Sequence, residues 1–175
     1  MGNVRLYGST SGYTELAPPA VAPDGVLSLP SGTGTLLTAE GGKVLQVVSA
    51  DYAVQTLTTS ATYVTSGLTA SITPSAATSK VIIFATTSGV AIDHGGMGFF
   101  SLFRGTAAGT NIGPEVNAYG DASDIYWSLH ITGIDSPSTT SAQVYTLCMK
   151  KAAGEQIGAQ VGNVKAQMIL MEVSG

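Results

Sequence analysis

The chain has 175 residues, a mass of 17.7 kDa and a net charge of -4, with charged residues at 10% against a usual share of about 25%. That composition excludes coiled coils and long solvent-exposed helices, which need Glu, Lys and Arg. Seven Lys and Arg scattered along the chain also cannot supply the basic surface that nucleic acid or an anionic membrane requires.

Residues 1–42 hold four of the seven prolines, Pro18, Pro19, Pro23 and Pro30, among Gly-Ser-Thr clusters and short apolar runs such as Val26–Leu29. Proline fixes φ and removes a backbone donor, so this stretch reads as an extended arm with short β pieces. From Lys43 the pattern changes to strands, and residues 43–175 read as one β domain. Leu68, Ala70 and Ile72 alternate with Thr69, Ser71 and Thr73, which predicts a strand with one core face. Lys80–Ala85, Phe99–Arg104, Ile125–Ile131, Gln143–Lys150 and Lys165–Val173 follow as further strands of ordinary length. Between them, Asp93–Gly98, Gly105–Gly113, Tyr119–Asp124, Gly133–Ser141 and Ala152–Gly162 read as loops, and no segment reads as a helix. The predicted class is all-β, an antiparallel sandwich or jelly roll with an extended N-terminal arm.

Two strands carry more than fold information. In Ile125–Ile131, alternation places Ile125, Trp127, Leu129 and Ile131 on an expected core face, opposite Tyr126, Ser128 and His130. In Lys165–Val173, Ile169, Met171 and Val173 share one face and Met168 and Leu170 the other, so both sides are apolar. Strands apolar on both sides are usually covered on both sides. With so few charges, the pattern predicts that other subunits cover some outer faces.

Catalytic signals are scarce. Gly8-Ser-Thr-Ser-Gly12 has the spacing of a nucleophile elbow, but Thr10 stands at its centre and no buried strand precedes it. His94-Gly-Gly-Met97 matches an esterase oxyanion loop only in composition, and reads as a flexible loop. His94 and His130 lie in no recognisable triad. Asp121 and Asp124 could offer oxygen ligands to a weak Ca²⁺ ion, although Asp in such a loop ordinarily caps a turn. The expectation is therefore no catalytic residue, no cofactor and no metal. Cys148 lies in an apolar run and reads as a buried small hydrophobe. Tyr119 is the aromatic residue most expected to be exposed. No apolar run reaches transmembrane length, and Met1–Gly12 lacks a signal-peptide core, so synthesis and folding in the cytosol are expected.

The segment Val4–Ala22, followed by Val26–Pro30 and Gly34–Leu37, resembles an N-terminal segment found in tailed-phage virion proteins of the capsid-decoration or tail-fibre type. Lys43–Val48, Tyr63–Leu68, Ser71–Ser75, Ser79–Ile83, Ser101–Gly105, Asp135–Pro137 and Ile169–Val173 resemble the β domain attached to it. The resemblance implies a virion surface protein and a homotrimer. Its partners would be the major capsid protein or tail proteins. Leu6, Tyr13, Leu16 and Val26, the larger apolar side chains of the arm, are the expected virion-docking pegs. The length suits an arm and one domain better than a fibre with a shaft, which favours a capsid decoration or cement protein. The alternative is a short tail fibre or fibre tip that recognises a host surface glycan.

Overall fold

Apolar side chains alternating with Thr and Ser dictate strands with one dry face, and such strands must pair and stack to bury it. A computed structural model of the chain describes residues 43–93, 95–120 and 125–175, together with the two strands β1 (Val4–Tyr7) and β2 (Tyr13–Leu16). The strands that follow are β3 (Val44–Tyr52), β4 (Thr56–Thr58), β5 (Val64–Ile72), β6 (Lys80–Ile92) and β7 (Met97–Arg104). After these come β8 (Thr110–Asn111), β9 (Val116–Tyr119), β10 (Ile125–Asp135), β11 (Gln143–Ala153), β12 (Ile157–Ala159) and β13 (Ala166–Val173). There is no helix among the described residues. The chain divides into two compact units, 1–37 and 38–175. In the first, β1 and β2 are antiparallel, with Val4 opposite Leu16 and Tyr7 opposite Tyr13.

The second unit is an all-β sandwich of two antiparallel sheets. In the larger sheet β6 is central. It pairs with β10 along one edge, and with β13 and β12 in succession along the other. Beyond these, β3 pairs with β13 and β4 with β12. The smaller sheet runs β5-β11-β7, with β8 and β9 both on the far edge of β7. Between the sheets lies a core of fully buried side chains, among them Leu68, Ile83, Phe100, Leu102, Ile131, Leu147, Met149, Met168 and Leu170. Each such side chain contributes about 1.5–3 kcal/mol by leaving water.

Three buried polar clusters tie the sandwich together. Tyr145 of the smaller sheet donates its hydroxyl to Asp135 Oδ2 of the larger sheet at 2.9 Å, and Arg104 Nη1 meets the same carboxylate at 3.1 Å. Burial, with Asp135 alongside, pushes the Tyr145 hydroxyl well above its ordinary pKa, so it stays a donor. Elsewhere, the Gln160 side-chain amide bridges the sheets. Its nitrogen donates to Ser66 O at 3.0 Å and its oxygen accepts from Thr87 Oγ1 at 2.8 Å. The third cluster surrounds Glu172, which is completely buried with no cation paired to it among the described residues. Its Oε1 accepts from Ser75 N and Ser75 Oγ, each at 2.7 Å, and its Oε2 accepts from Gln46 Nε2 at 2.6 Å.

Several sequence expectations change. Lys80–Ala85 is the first half of a longer strand, because a bulge at Ser88-Gly89 lets β6 continue to Ile92. Gly89 has φ +65°, and a Cβ there would lie 2.5 Å from Val161 O, so only glycine fits. Ala152–Gly162, read as a loop, contains β12, whose three residues are all buried. Gly105–Gly113 contains β8, and Gly133–Ser141 begins with the last turnless residues of β10. Trp127, expected in the core, is 38% exposed, while its strand neighbours Leu129 and Ile131 are buried as expected. The pairing of β10 with β6 shifts register between Trp127 and Leu129, and past that irregularity the alternation no longer tracks the core.

Candidate assembly surfaces

The outer face of the larger sheet is built from every second residue of β3, β13, β6 and β10. Register places Val47, Met171, Ile82 and Ile134 in one row across the four strands. The next row is Ser49, Ile169, Phe84 and Thr132. The end members Val47 and Ile134 are 58% and 65% exposed, and Phe84 is 41% exposed. The two-sided apolarity of β13 thus resolves into Met168 and Leu170 in the core and Ile169, Met171 and Val173 on this half-buried outer face. Acidic groups on it are few. Asp51 is tied to Lys165 at 3.0 Å and to Gln167 at 3.0 Å, which hold its carboxyl below the usual range, and Glu172 points inward. At the β10 edge a hollow of about 460 Å³ opens between Phe84, Ile82 and Ile134 on one side and Ile112 and Pro114 on the other.

The outer face of the smaller sheet carries an open groove of about 880 Å³ beside Tyr63, Val64 and Val144. Threonines line much of it, yet their hydroxyls serve the local backbone. Thr146 Oγ1 donates to Gly105 O at 2.6 Å, Thr65 Oγ1 accepts from Gly67 N at 3.0 Å, and Thr106 Oγ1 accepts from Ala108 N at 3.3 Å. Their methyl groups are left to face the groove, which is therefore suited to apolar contact. At one end the Tyr63 hydroxyl donates to Glu115 Oε1 at 2.5 Å, and Lys150 Nζ meets the same oxygen at 2.5 Å while lying over the Tyr63 and Phe99 rings. Lys150 and Tyr63 hold the Glu115 carboxyl below its ordinary range, and burial and Glu115 push the Tyr63 hydroxyl up.

Among the described residues no group of three or more His, Cys, Asp and Glu side chains converges as a metal site would. His130 is exposed, with its Nδ1 3.1 Å from Thr86 Oγ1. Asp93 accepts from Gln156 N at 3.1 Å. Cys148 is fully buried, and burial pushes its thiol up to about 12. Tyr119, read as a loop residue, is the last residue of β9, yet it is exposed as expected, and Tyr126 is exposed with it. Of the four proposed pegs, Leu6 lies in β1, opposite Thr14, while Tyr13 and Leu16 lie in β2. Val26, His94, Asp121 and Asp124 lie outside the described residues. Sequence reasoning did not find the hollow. Its lining comes from β6, β10 and the turn after β8, and only the pairing brings these together.

No helix among the described residues is long and apolar enough to cross a membrane. No family model and no curated protein matches the chain. Among solved structures it is similar to the VP2 subviral particle of infectious bursal disease virus, at 15% identity and a TM-score of 0.43, covering 96% of this chain and 40% of that one. It is similar to the Gx strain of the same virus at 14% identity and a TM-score of 0.43, covering 92% and 38%. It is also similar to the tripod (BppUct-A-L) from the baseplate of bacteriophage Tuc2009, at 9% identity and a TM-score of 0.35, covering 91% and 84%. The chain spans about two fifths of the length of the two virus proteins.

Proposed function

We propose that this chain is a phage virion structural protein: a trimeric capsid decoration or cement protein that docks by its N-terminal arm, residues 1–42, and projects the sandwich. The observation that carries the reading is the outer face of the larger sheet, where Val47, Ile134 and Phe84 stand exposed around half-buried Ile82, Ile169 and Met171. An apolar face with so little charge is characteristic of a surface that meets protein rather than water. The resemblance of Val4–Ala22 and of the later strands to tailed-phage virion proteins supplies the setting. The role needs no catalytic group. In this reading Leu6, Tyr13, Leu16 and Val26 are the apolar pegs of the arm, and its extended backbone adds to a sheet edge on the capsid.

The exposure of Tyr119 and Tyr126 favours a second reading, a short tail fibre whose aromatic rings meet a host surface glycan. Labelling of virions with an antibody against residues 43–175 separates the two. Signal over the capsid shell supports decoration, and signal confined to the tail overturns it. Deleting residues 1–30 tests the arm. The expected result is a protein that still trimerises but no longer decorates, and undiminished decoration would refute arm docking.

A further inference from the structure

The outer face of the larger sheet has a different character at its two edges. At the β3 edge Val47 projects, and at the β10 edge Phe84 and Ile134 border the hollow. Both lie within two adjacent rows of the same sheet, at opposite ends of rows four strands wide. Resting on the trimeric reading above, we infer that the occupant of this hollow is Val47 of a second copy of this chain. The β3 edge of each copy packs on the β10 edge of the next in a closed ring of three.

Charge and area both favour this arrangement. A surface that meets its own copy meets its own charge, so a strongly acidic face would repel itself. The chain carries -4 overall, yet the carboxylate on this face, Asp51, is already paired with Lys165, and the two central rows hold no ionised group. Four strands at about 4.8 Å spacing and the five residues of apolar length from Ile169 to Val173, at about 3.3 Å each, give a face of roughly 300 Å². Two copies pressed flat, face to face, would each bury less than half of the roughly 800 Å² per partner of a standard stable interface. Edge-to-edge packing recruits the β3 edge and the Ile112–Pro114 turn as well, and in a closed ring every copy makes the contact twice. Contact between two different patches is the heterologous kind that generates rings.

The test is the double variant Val47→Cys/Ile134→Cys, treated with a short bis-maleimide in the full-length protein. Cys148 is buried and stays silent. The expected product is a covalent trimer, with neither single variant cross-linking by itself. In parallel, Ile134→Glu should raise the concentration at which the trimer half-dissociates by more than about tenfold, because the new charge must be desolvated. Its circular dichroism should be unchanged, since Ile134 is exposed. Val144→Glu, on the opposite sheet, should leave the trimer intact. A covalent dimer as end product would replace the ring with a face-to-face pair. A native trimer that fails to cross-link and tolerates Ile134→Glu would move the interface elsewhere and leave the trimeric reading standing. A wild-type protein that is monomeric throughout would overturn both.

Discussion

Replacing Glu172 with Gln removes a buried charge that has no counter-ion among the described residues. Burial by itself raises the pKa of this carboxyl. The donors of Ser79, Gln46 and Ser75 outweigh it, although the Ser79 hydroxyl stands outside full hydrogen-bond geometry. Together they hold the group at about 2 against an ordinary 4.5. The carboxylate accepts three hydrogen bonds, joining β13 to β3 and to the turn after β5. An amide keeps the shape but turns one acceptor into a donor, so at least one of the Gln46 and Ser75 groups loses its partner inside the protein. A buried donor left unsatisfied costs about 1–3 kcal/mol, and hydrogen bonds to a charged acceptor lie at the upper end. The expected loss for Glu172→Gln is therefore about 2–3 kcal/mol at pH 7. Because the folded pKa lies below the unfolded one, this contribution is fully present above about pH 4.5 and disappears as pH falls through about 2. Urea unfolding of both proteins, followed by circular dichroism at a series of pH values, measures the gap. It should be widest at neutral pH and close between those limits. A gap below about 0.5 kcal/mol at pH 7, the size of an ordinary surface change, or one that does not vary with pH, would refute the reasoning.

Gly89→Ala should destabilise the protein by more than about 1 kcal/mol, because alanine at φ +65° is strained and its Cβ would meet Val161 O; thermal unfolding checks this. Asp135→Ala should cost about 3 kcal/mol, since it strands the Arg104 guanidinium and the buried Tyr145 hydroxyl together, and denaturant unfolding reads the loss directly. Cys148 should resist a thiol reagent in the native protein at pH 8 and react at once in denaturant, as its burial and a pKa of about 12 both withhold the thiolate; rapid native reaction would contradict its placement.

Strands whose alternation runs for six residues or more were legible in the sequence. Leu68, Ala70 and Ile72, and likewise Leu129 and Ile131, are buried as their spacing assigned them. The strands β4, β8, β9 and β12, of two to four residues each, are too short to show a period; β8, β9 and β12 exist because a longer neighbour offers them a free edge, and β4 pairs in turn with β12. The polar clusters were illegible for a related reason. Arg104, Asp135 and Tyr145 share no spacing rule, and only the stacking of two sheets makes them neighbours. The outer apolar face was foreshadowed by Ile169, Met171 and Val173, which no one-sided strand needs. Its rows and its hollow depend on which strands pair, and composition does not encode that.

The pairing of β3 with β13 has a consequence for the order of events during synthesis. Lys43 O accepts from Ser174 N at 3.0 Å, joining residues 131 positions apart in the chain. Until β13 has left the ribosome, β3 has no partner in the larger sheet, and the row from Val47 to Ile134 lacks Met171. A nascent or truncated chain therefore does not display this surface. Such late closure of a long loop slows folding. It also means that only a finished sandwich presents the face on which, in the proposed trimer, other copies would pack, so incomplete chains would be kept out of that assembly.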